Sequence, residues 1–325
     1  CVECKCDNCP CKQDKLSEQV ASMQMLSPEM EARVSALLSV GEECITRDEL
    51  IKLLEKKPEF TAYDGFEPSG RMHIAQGILK AINVNKITSN GGRFIFWVAD
   101  WFALLNNKMG GDLERIKTVG RYMIEVWRAA GMNMDKVEFK WASEEILARP
   151  NEYWSLVFDI ATKNSLNRVL RCTQIMGRSE TDDLSAAQIF YPVMQAADIF
   201  FLKADICQLG MDQRKVNMLA REYCDSSKRK HKPIVLSHHM LMGLGEGQAK
   251  MSKSDPDSAI FMEDTEADVN VKIKKAYCPP AVIENNPILD YVKHILFAHS
   301  GCLLIERTEA NGGNKEYVEY AQLEA

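Results

Sequence analysis

Two short segments of the sequence combine residue types that suit the binding of a phosphate chain. The first, residues 63–77 (YDGFEPSGRMHIAQG), places a glycine-containing turn between a β-type apolar run and a helical pattern. The free N–H groups of a helix N-terminus favour phosphate, and Gly65 and Gly70 let a nucleotide approach the backbone closely. His73 and Gln76 are three residues apart and share one helix face, where two donors can stabilise charge on a transferring phosphate. The alternative interpretation is a turn with a capping histidine.

The second segment is residues 250–254 (KMSKS), which glycines at positions 243, 245 and 247 precede and Pro256 follows. This composition predicts a loop. Lys250 and Lys253 lie three residues apart with hydroxyl groups beside them, which suits a polyphosphate tail. A loop that closes during the reaction adds binding energy selectively to the transition state. The alternative is a solvated polar loop.

A third segment places polar side chains on one face of an otherwise apolar helix. Tyr191, Gln195 and Asp198 are spaced by four and three residues, and we expect Pro192 at the first helical position. Buried polar groups need partners, so this face suits a ligand with an ammonium group, a carboxylate and a phenol, or else an internal hydrogen-bonded network. Downstream, Gly210 in the segment LGMDQRK marks a strand-to-helix turn that again permits close approach of a nucleotide.

The elements around these segments alternate between strand and helix, which predicts a parallel sheet with helices on both faces and a ligand site at the carboxyl ends of the strands. We therefore predict an α/β fold with a Rossmann-like catalytic domain over residues 28–262, including N-terminal helices and a helical insertion near 144–190. A smaller, mainly α-helical and incomplete domain is expected over 263–325. The predicted strands are 60–66, 94–99, 137–141, 204–209 and 234–236, and the predicted helices between them include 74–87, 113–130 and 216–223.

Composition narrows the class of protein further. The chain has 325 residues, 40 Lys+Arg against 46 Asp+Glu, and a net charge of −6. This acidity argues against sequence-independent nucleic-acid binding but allows one RNA to be read through a local basic patch. No apolar run approaches the roughly 18 residues of a membrane span, and no signal peptide is evident. The scattered cysteines indicate reduced thiols in the cytoplasm.

The first 27 residues are expected to form a disordered extension. Five of the 11 cysteines lie within the first 11 residues, in the pattern C-x2-C-x-C-x2-C-x-C. Thiolates so close together can bind zinc or copper, but no histidine or later CxxC completes a site of the usual spacing. An oxidisable tail is the alternative. We also expect the natural start to be missing, because the chain opens on Cys1.

The pairing of the His73 turn with KMSKS resembles the class I aminoacyl-tRNA synthetases. KMSKS is intact, whereas Gln76 replaces the final histidine of the family's HIGH motif and can never carry charge. We therefore expect His73 to contribute more than Gln76. The segments YPxxQAxD and LGMDQRK are similar to the tyrosyl-tRNA synthetases of eukaryotes and archaea, and the resemblance covers residues 32–325.

This resemblance implies a set of site residues and partners. It implies catalysis by His73, Gln76, Lys250 and Lys253. Tyrosine would be held with Tyr191 and Asp198 at the phenol and with Tyr63, Gln195 and Gln213 around the amino group. The implied ATP contacts are Gly65, Gly70, His73, Gly210, Asp212, Lys250, Met251, Ser252, Lys253 and Ser254, and the implied contacts to the tRNA acceptor stem are Arg178, Arg214 and Lys215.

The implied partners are L-tyrosine, ATP with Mg²⁺ as a substrate, and tRNA(Tyr), with no tightly bound cofactor and no bound metal. The family is dimeric, so we expect a homodimer with the insertion near its interface, and no membrane association. The family's His-Pro segment for anticodon reading is absent from the sequence. For His238 and His239 we favour a structural role near the adenine over a metal site.

Two other interpretations remain open from the sequence. A tryptophanyl-tRNA synthetase would share the fold and both phosphate-binding segments, but Tyr191, Gln195 and Asp198 do not suit an indole. A non-catalytic RNA-binding or signalling protein on the same fold would have no need of intact KMSKS and His73.

Overall fold

The structure, a computed structural model, describes residues 26–177, 183–251 and 255–324. The expectations for the cysteine-rich start up to residue 25, and those for Arg178, Ser252, Lys253 and Ser254, lie outside the described residues. Within them, no helix has the length and apolar character required to cross a membrane.

A six-stranded sheet forms the centre of the molecule, in the order β1-β6-β5-β2-β3-β4. The neighbouring strands from β6 to β4 are parallel, as predicted, and β1 is antiparallel to β6. The sequence analysis missed β1 because a three-residue strand has too little periodicity to detect. The strands are β1 (Glu43–Ile45), β2 (Phe60–Phe66), β3 (Gly92–Val98), β4 (Val137–Trp141), β5 (Ile206–Cys207) and β6 (Ile234–Ser237).

The strand order reverses between β2 and β5. The chain runs from β2 through β3 to β4 on one side of the sheet, then returns to β5 and β6 on the other side. Loops that leave the carboxyl ends of β2 and β5 therefore diverge and leave a crevice between them. The fold thus places the first and third candidate segments beside each other.

Helices cover both faces of this sheet, as the alternating pattern predicted. Side chains of β3 show why both faces need cover, because Phe94 and Phe96 enter one apolar cluster whereas Ile95 and Trp97 enter another. The helices are α1 (Pro28–Leu38), α2 (Arg47–Lys56), α3 (Lys80–Ser89), α4 (Asp100–Leu105), α5 (Leu113–Ala129), α6 (Ala142–Ala148), α7 (Pro150–Thr162), α8 (Leu166–Leu170), α9 (Ala186–Phe201), α10 (Arg214–Ser226), α11 (Glu266–Lys275), α12 (Pro287–Tyr291), α13 (Phe297–Ser300) and α14 (Ala321–Glu324).

Two features of the helices differ from the predictions. Pro192 was expected to begin a helix, but it lies in the interior of α9, which begins at Ala186. The reason is a capping box, in which the Gln188 side-chain oxygen accepts from the Ser185 backbone N–H at 3.0 Å. This start signal and the burial of the helix outweigh the hydrogen bond that an interior proline removes. The second difference is a π-helical turn, Ala75–Leu79, at the beginning of the predicted helix 74–87.

The residues after position 262 are not purely helical. They comprise α11 to α14, a π-helical turn (Val292–Leu296) and an antiparallel pair of strands, β7 (Leu303–Ile305) and β8 (Lys315–Tyr317). Tyr291, at the end of α12, and Ile295, in the π-helical turn, pack into an apolar cluster with Leu241 and Met251. This cluster connects the C-terminal helices to the segment that carries Lys250.

Candidate active site

A cavity of about 340 Å³ opens at the carboxyl edge of the sheet, where the strand order reverses. Gly70, with φ of +93°, lies on the adjoining turn and does not line the cavity. Arg214 and Lys215 also lie outside its lining. The candidate residues that do line it are Tyr63, Gly65, His73, Gln76, Tyr191, Gln195, Asp198, Gly210, Asp212, Gln213, Lys250 and Met251.

The turn that carries His73 is tied by backbone hydrogen bonds to the chain that follows KMSKS. Ile74 donates to the Ile260 carbonyl at 2.9 Å, and Met262 donates to the Met72 carbonyl at 2.8 Å. His73 thereby forms a bridge with Phe261. Hydrogen bonds therefore hold the turn of the first candidate segment against the chain that follows the second, although the two are far apart in sequence.

Gln76 lies in the π-helical turn that follows His73. Its backbone carbonyl accepts from the Trp127 indole N–H at 2.6 Å, which fixes the turn against α5. Its side-chain oxygen is buried and has no hydrogen-bond partner among the described residues. π-helical turns are rare and occur often at functional sites. Gln76 thus lines the cavity with a side-chain oxygen that can accept a hydrogen bond, and the expected role of its amide as a donor stays a prediction.

Asp198 forms the deepest polar group of the cavity and is 1% exposed. Its Oδ1 accepts from the Tyr153 hydroxyl at 2.8 Å, whereas its Oδ2 has no well-formed hydrogen bond among the described residues. Burial raises the pKa of Asp198 well above its usual range, and the nearby Tyr153 hydroxyl and Trp97 indole oppose that shift. A ligand hydroxyl that donates to Oδ2 would satisfy this carboxylate.

Tyr191 makes a different contact from the one that its implied role suggests. Its hydroxyl donates to Oε1 of Glu67 at 2.7 Å, and the Asn106 amide donates to the same carboxylate at 3.1 Å. Nearby, the Gln195 amide donates to Oε1 of Gln213 at 3.0 Å. A carboxylate and side-chain amides in one place suit a ligand ammonium group.

Two ion pairs between acidic and basic side chains line the cavity. Lys250 pairs with Asp212, with 3.2 Å between Nζ and Oδ2. Lys80 pairs closely with Asp64, and both line the same cavity. Gly210 is packed tightly here, because a Cβ at this position would lie 2.7 Å from Oδ1 of Asp212.

His238 is a partly buried residue of the same wall. Its Nδ1 lies 2.8 Å from the Gln208 side-chain amide nitrogen. Burial lowers the pKa of His238 well below its usual range, and the neighbouring positive charge of Lys80 lowers it further. His238 also lines the cavity, and its expected place near the adenine stays a prediction.

His239 has partners that sequence reasoning missed. Its Nε2 lies 2.7 Å from Oδ1 of Asp290, and its ring stacks on that of His294 with 4.1 Å between centroids and 16° between planes. The potential ligand atoms of these three residues lie within 4.8 Å of one another. Stacked rings direct their nitrogens along parallel planes rather than at one shared point, which favours an ion-paired contact between β6 and the C-terminal helices.

Three residues that line the cavity were not among the predicted site residues: Asp64, Glu67 and Lys80. A fourth, Tyr153, was also missed; it lies behind the cavity lining and contacts it through Asp198. Asp64 and Glu67 lie inside the first segment, and Lys80 follows Gln76 by four residues, so helix spacing alone could have identified it. Tyr153 lies 45 residues from Asp198 on another helix, and the sequence carries no signal that joins the two.

Two of the three residues expected to contact the tRNA acceptor stem, Arg214 and Lys215, lie on the first turn of α10. The Arg214 guanidinium donates to both carboxylate oxygens of Glu43, with Nε 2.7 Å from Oε2. The Lys215 backbone carbonyl accepts from Arg168 at 3.4 Å. Both residues remain partly exposed next to the cavity wall formed by Gln213.

Comparison with known families identifies the class of protein that this fold and cavity define. The sequence model of the family described as "tRNA synthetases class I (W and Y)" matches residues 55–325, which is most of the chain. The five parallel strands of the sheet, the crevice at its reversal point and the two candidate phosphate-binding segments all lie within the matched residues, whereas β1 precedes them.

Individual relatives narrow the class further. The chain is 65% identical over 300 residues to "Tyrosine–tRNA ligase 1, cytoplasmic" of Arabidopsis thaliana, covering 92% of this chain and 78% of the relative. It is 42% identical to a tyrosine–tRNA ligase of Picrophilus torridus, covering 84% and 83%. A Leishmania major tyrosyl-tRNA synthetase structure in complex with tyrosinol matches with 57% identity and a TM-score of 0.86.

The Leishmania match covers 91% of this chain but 45% of that one, so the chain spans about half of its length. The chain belongs to the class I aminoacyl-tRNA synthetases for tryptophan and tyrosine, and within them to the tyrosine–tRNA ligases of eukaryotes and archaea. The predicted family and fold class are confirmed.

Proposed function

We propose that this chain activates L-tyrosine with ATP and transfers it to tRNA(Tyr). In the first step the tyrosine carboxylate attacks the α-phosphate of ATP, which forms tyrosyl-adenylate and releases pyrophosphate. In the second step a terminal ribose hydroxyl of the tRNA attacks the activated carbonyl, and AMP leaves. The observation that supports this most is that His73, Asp198 and Lys250 line the same cavity.

The contacts in the cavity favour one orientation of tyrosine. The buried Asp198 carboxyl group, whose Oδ2 has no well-formed hydrogen bond among the described residues, accepts the phenol. Tyr63, which the resemblance placed around the amino group, is moved in this proposal to the phenol end beside Asp198. Glu67, together with Gln195 and Gln213, receives the ammonium group. This proposal moves Tyr191 from the phenol end to the amino end of the bound tyrosine, because its hydroxyl donates a hydrogen bond to Glu67.

The chemistry of activation requires alignment and charge stabilisation rather than a strong base. The nucleophile is already a carboxylate, so the protein's contribution is to hold it near the α-phosphate and to stabilise the charge that develops there. His73 and Gln76 offer polar groups from the first turn, and Lys250 offers a cation from the second segment. Mg²⁺ enters bound to the phosphates of ATP, and Asp212 is a carboxylate of the cavity suited to it.

The test is amino-acid-dependent exchange of pyrophosphate into ATP, run with tyrosine, with tryptophan and with neither. Exchange with tyrosine alone supports the proposal. Exchange with tryptophan would instead support the tryptophanyl relative, and no exchange with either amino acid would support a non-catalytic protein. Transfer to tRNA(Tyr) is then measured directly as tyrosylated tRNA.

Tyr153 supports Asp198 at the deep end of the proposed tyrosine site, and this contact can be tested. Its hydroxyl holds Oδ1 of Asp198, so Tyr153→Phe removes one donor and leaves the carboxylate harder to ionise. One hydrogen bond contributes about 0.5–1.5 kcal/mol, so we expect the tyrosine KM in pyrophosphate exchange to rise roughly fivefold. Tyr320→Phe, outside the cavity, serves as the control. An unchanged KM in Tyr153→Phe would exclude this supporting role.

We also propose that the chain forms a homodimer through the helical insertion. Helices α6 to α9 carry four exposed large apolar side chains, and Phe158 among them is 57% exposed. Exposed apolar surface of this kind is typical of an interface. The apolar residues concerned are Leu147, Phe158, Leu166 and Phe190.

The dimer proposal predicts the effect of a charge at this surface. Phe158→Arg would place an unpaired guanidinium in the interface, so we expect the protein to sediment as a monomer. Val318→Arg is the matched control, since Val318 is 59% exposed in the C-terminal segment. Sedimentation velocity distinguishes the two. A dimer that persists in Phe158→Arg would place the interface elsewhere.

The remaining partner and location assignments are extensions of this proposal. Arg214 and Lys215 are assigned to the tRNA acceptor stem, since α10 begins with them beside the cavity wall. The same assignment for Arg178, outside the described residues, rests on the sequence resemblance alone. The residues after 262 are assigned to a C-terminal domain that resembles the anticodon-binding part of the family. A cytoplasmic location is supported by the name of the Arabidopsis relative.

A further inference from the structure

Lys80 and Asp64 form a buried ion pair inside the cavity. Lys80 is the first residue of α3 and Asp64 lies in β2, and their side chains are 12% and 4% exposed. Both line the cavity together with His73 and Asp212. None of the roles proposed above uses this pair.

A structural role alone accounts poorly for this pair. Removing two charges from water costs several kcal/mol for each ion, and well-packed apolar residues often replace such a pair with no loss of stability. The position of the pair in the cavity therefore points to a role toward a ligand.

The charges of the cavity indicate which ligand group Lys80 would meet. Carboxylates of Asp64, Glu67 and Asp212 line the wall, and a polyphosphate would be repelled unless cations offset them. Lys250 lies beside Asp212, and Lys80 lies beside Asp64. Without Lys80, the wall near β2 would present a carboxylate to the phosphates.

The first segment also lacks a charge that Lys80 can supply. Gln76 cannot be protonated, and Lys80 follows it by four residues across the π-helical turn. Both side chains line the cavity, so the helix presents a neutral amide and then a cation to the same space.

We propose that Lys80 is a further catalytic residue, a cation that Asp64 holds in the cavity and that contacts the phosphate chain of ATP during tyrosine activation. This inference rests on the proposed function. Asp64 is then a positioning residue, which keeps a flexible lysine in place at low exposure.

A pH profile separates this role from a structural one. Burial lowers the pKa of the Lys80 ammonium, and Asp212 opposes that shift. The charged form binds phosphate, so the ATP KM of the unmodified chain should rise as the solution becomes alkaline and Lys80 loses its proton. Lys80→Arg stays charged over this range, so its ATP KM should stay level.

The decisive experiment measures tyrosine-dependent pyrophosphate exchange in four proteins: the unmodified chain, Lys80→Met, the double variant Asp64→Asn with Lys80→Met, and Lys86→Met as a control. Lys86 lies on the same helix and outside the cavity lining. Lys80→Met leaves Asp64 buried and unpaired, which can impair folding. The double variant removes both charges and should restore the thermal unfolding temperature.

We expect the ATP KM of both Lys80→Met proteins to rise roughly tenfold or more, as for the loss of one charge-assisted hydrogen bond. The tyrosine KM should change by less than about twofold. An ATP KM in the stable double variant that equals that of the unmodified chain would overturn the inference and leave the proposed function intact. Absence of exchange in the unmodified chain would overturn both.

Discussion

The Asp198→Ala variant is expected to lose most of its preference for tyrosine over phenylalanine. Asp198 is the buried acceptor at the deep end of the cavity, and its Oδ2 has no well-formed hydrogen bond among the described residues. In the variant a bound phenol would have to bury its hydroxyl without this acceptor. Leaving a buried hydroxyl without its partner costs about 1–3 kcal/mol, so kcat/KM for tyrosine should fall roughly fivefold to 150-fold.

Phenylalanine makes no such bond, and its slow activation should change by less than about threefold. Both rates come from pyrophosphate exchange with each amino acid. Asp225→Ala, which removes an exposed carboxylate paired with Lys232, is the control and should keep the ratio. Because the variant also strands the Tyr153 hydroxyl, its unfolding temperature is measured in parallel. A ratio equal to that of the unmodified chain would place the phenol elsewhere.

The sheet could be predicted from the sequence because its strands are buried on both faces. A run such as residues 94–98 is apolar throughout, and the structure divides it between two clusters by simple alternation. Helix starts were accessible where a side chain caps them, as Ser27 and Thr46 do. The start of α9 was expected at Pro192 because the capping box that begins seven residues earlier, at Ser185 with Gln188, was not recognised.

The candidate site was accessible only where its residues are close in sequence. The polar face of α9 and the turn after β2 are local patterns that helix spacing resolves. The bond from Tyr153 to Asp198 and the contacts of His239 with Asp290 and His294 join segments about 45 to 55 residues apart. Such pairs depend on how helices pack, which periodicity does not specify.

Backbone pairing adds a relation that neither motif reveals alone. The turn before Ala75 and the segment 260–262 hydrogen-bond to each other, and the chain between Lys250 and this segment is short. The backbone of His73 therefore holds the first turn against the chain that follows the second candidate segment, and His73 also lines the cavity. His73 thus has two separable roles, one through its ring and one through its backbone.

The His73→Ala variant separates these two roles. The alanine backbone can still pair with Phe261, so the turn and the cavity should be retained while the ring is lost. Loss of one donor aimed at developing charge costs about 2.7–4 kcal/mol, so the rate of adenylate formation should fall roughly 100-fold to 1,000-fold. The dissociation constant for tyrosine should change by less than about threefold, because His73 lies on the phosphate side.

Rapid-quench measurement of enzyme-bound tyrosyl-adenylate provides the rate, and equilibrium binding of labelled tyrosine provides the constant. His299→Ala, in the exposed last turn of α13, is the control and should leave both unchanged. If His73 acted only through the backbone, adenylate formation in the alanine variant would proceed at the unmodified rate. If the ring stabilised the tyrosine pocket instead, tyrosine binding would weaken in proportion to the loss in rate. A large loss in rate with intact tyrosine binding is the pattern that only a transition-state contact produces.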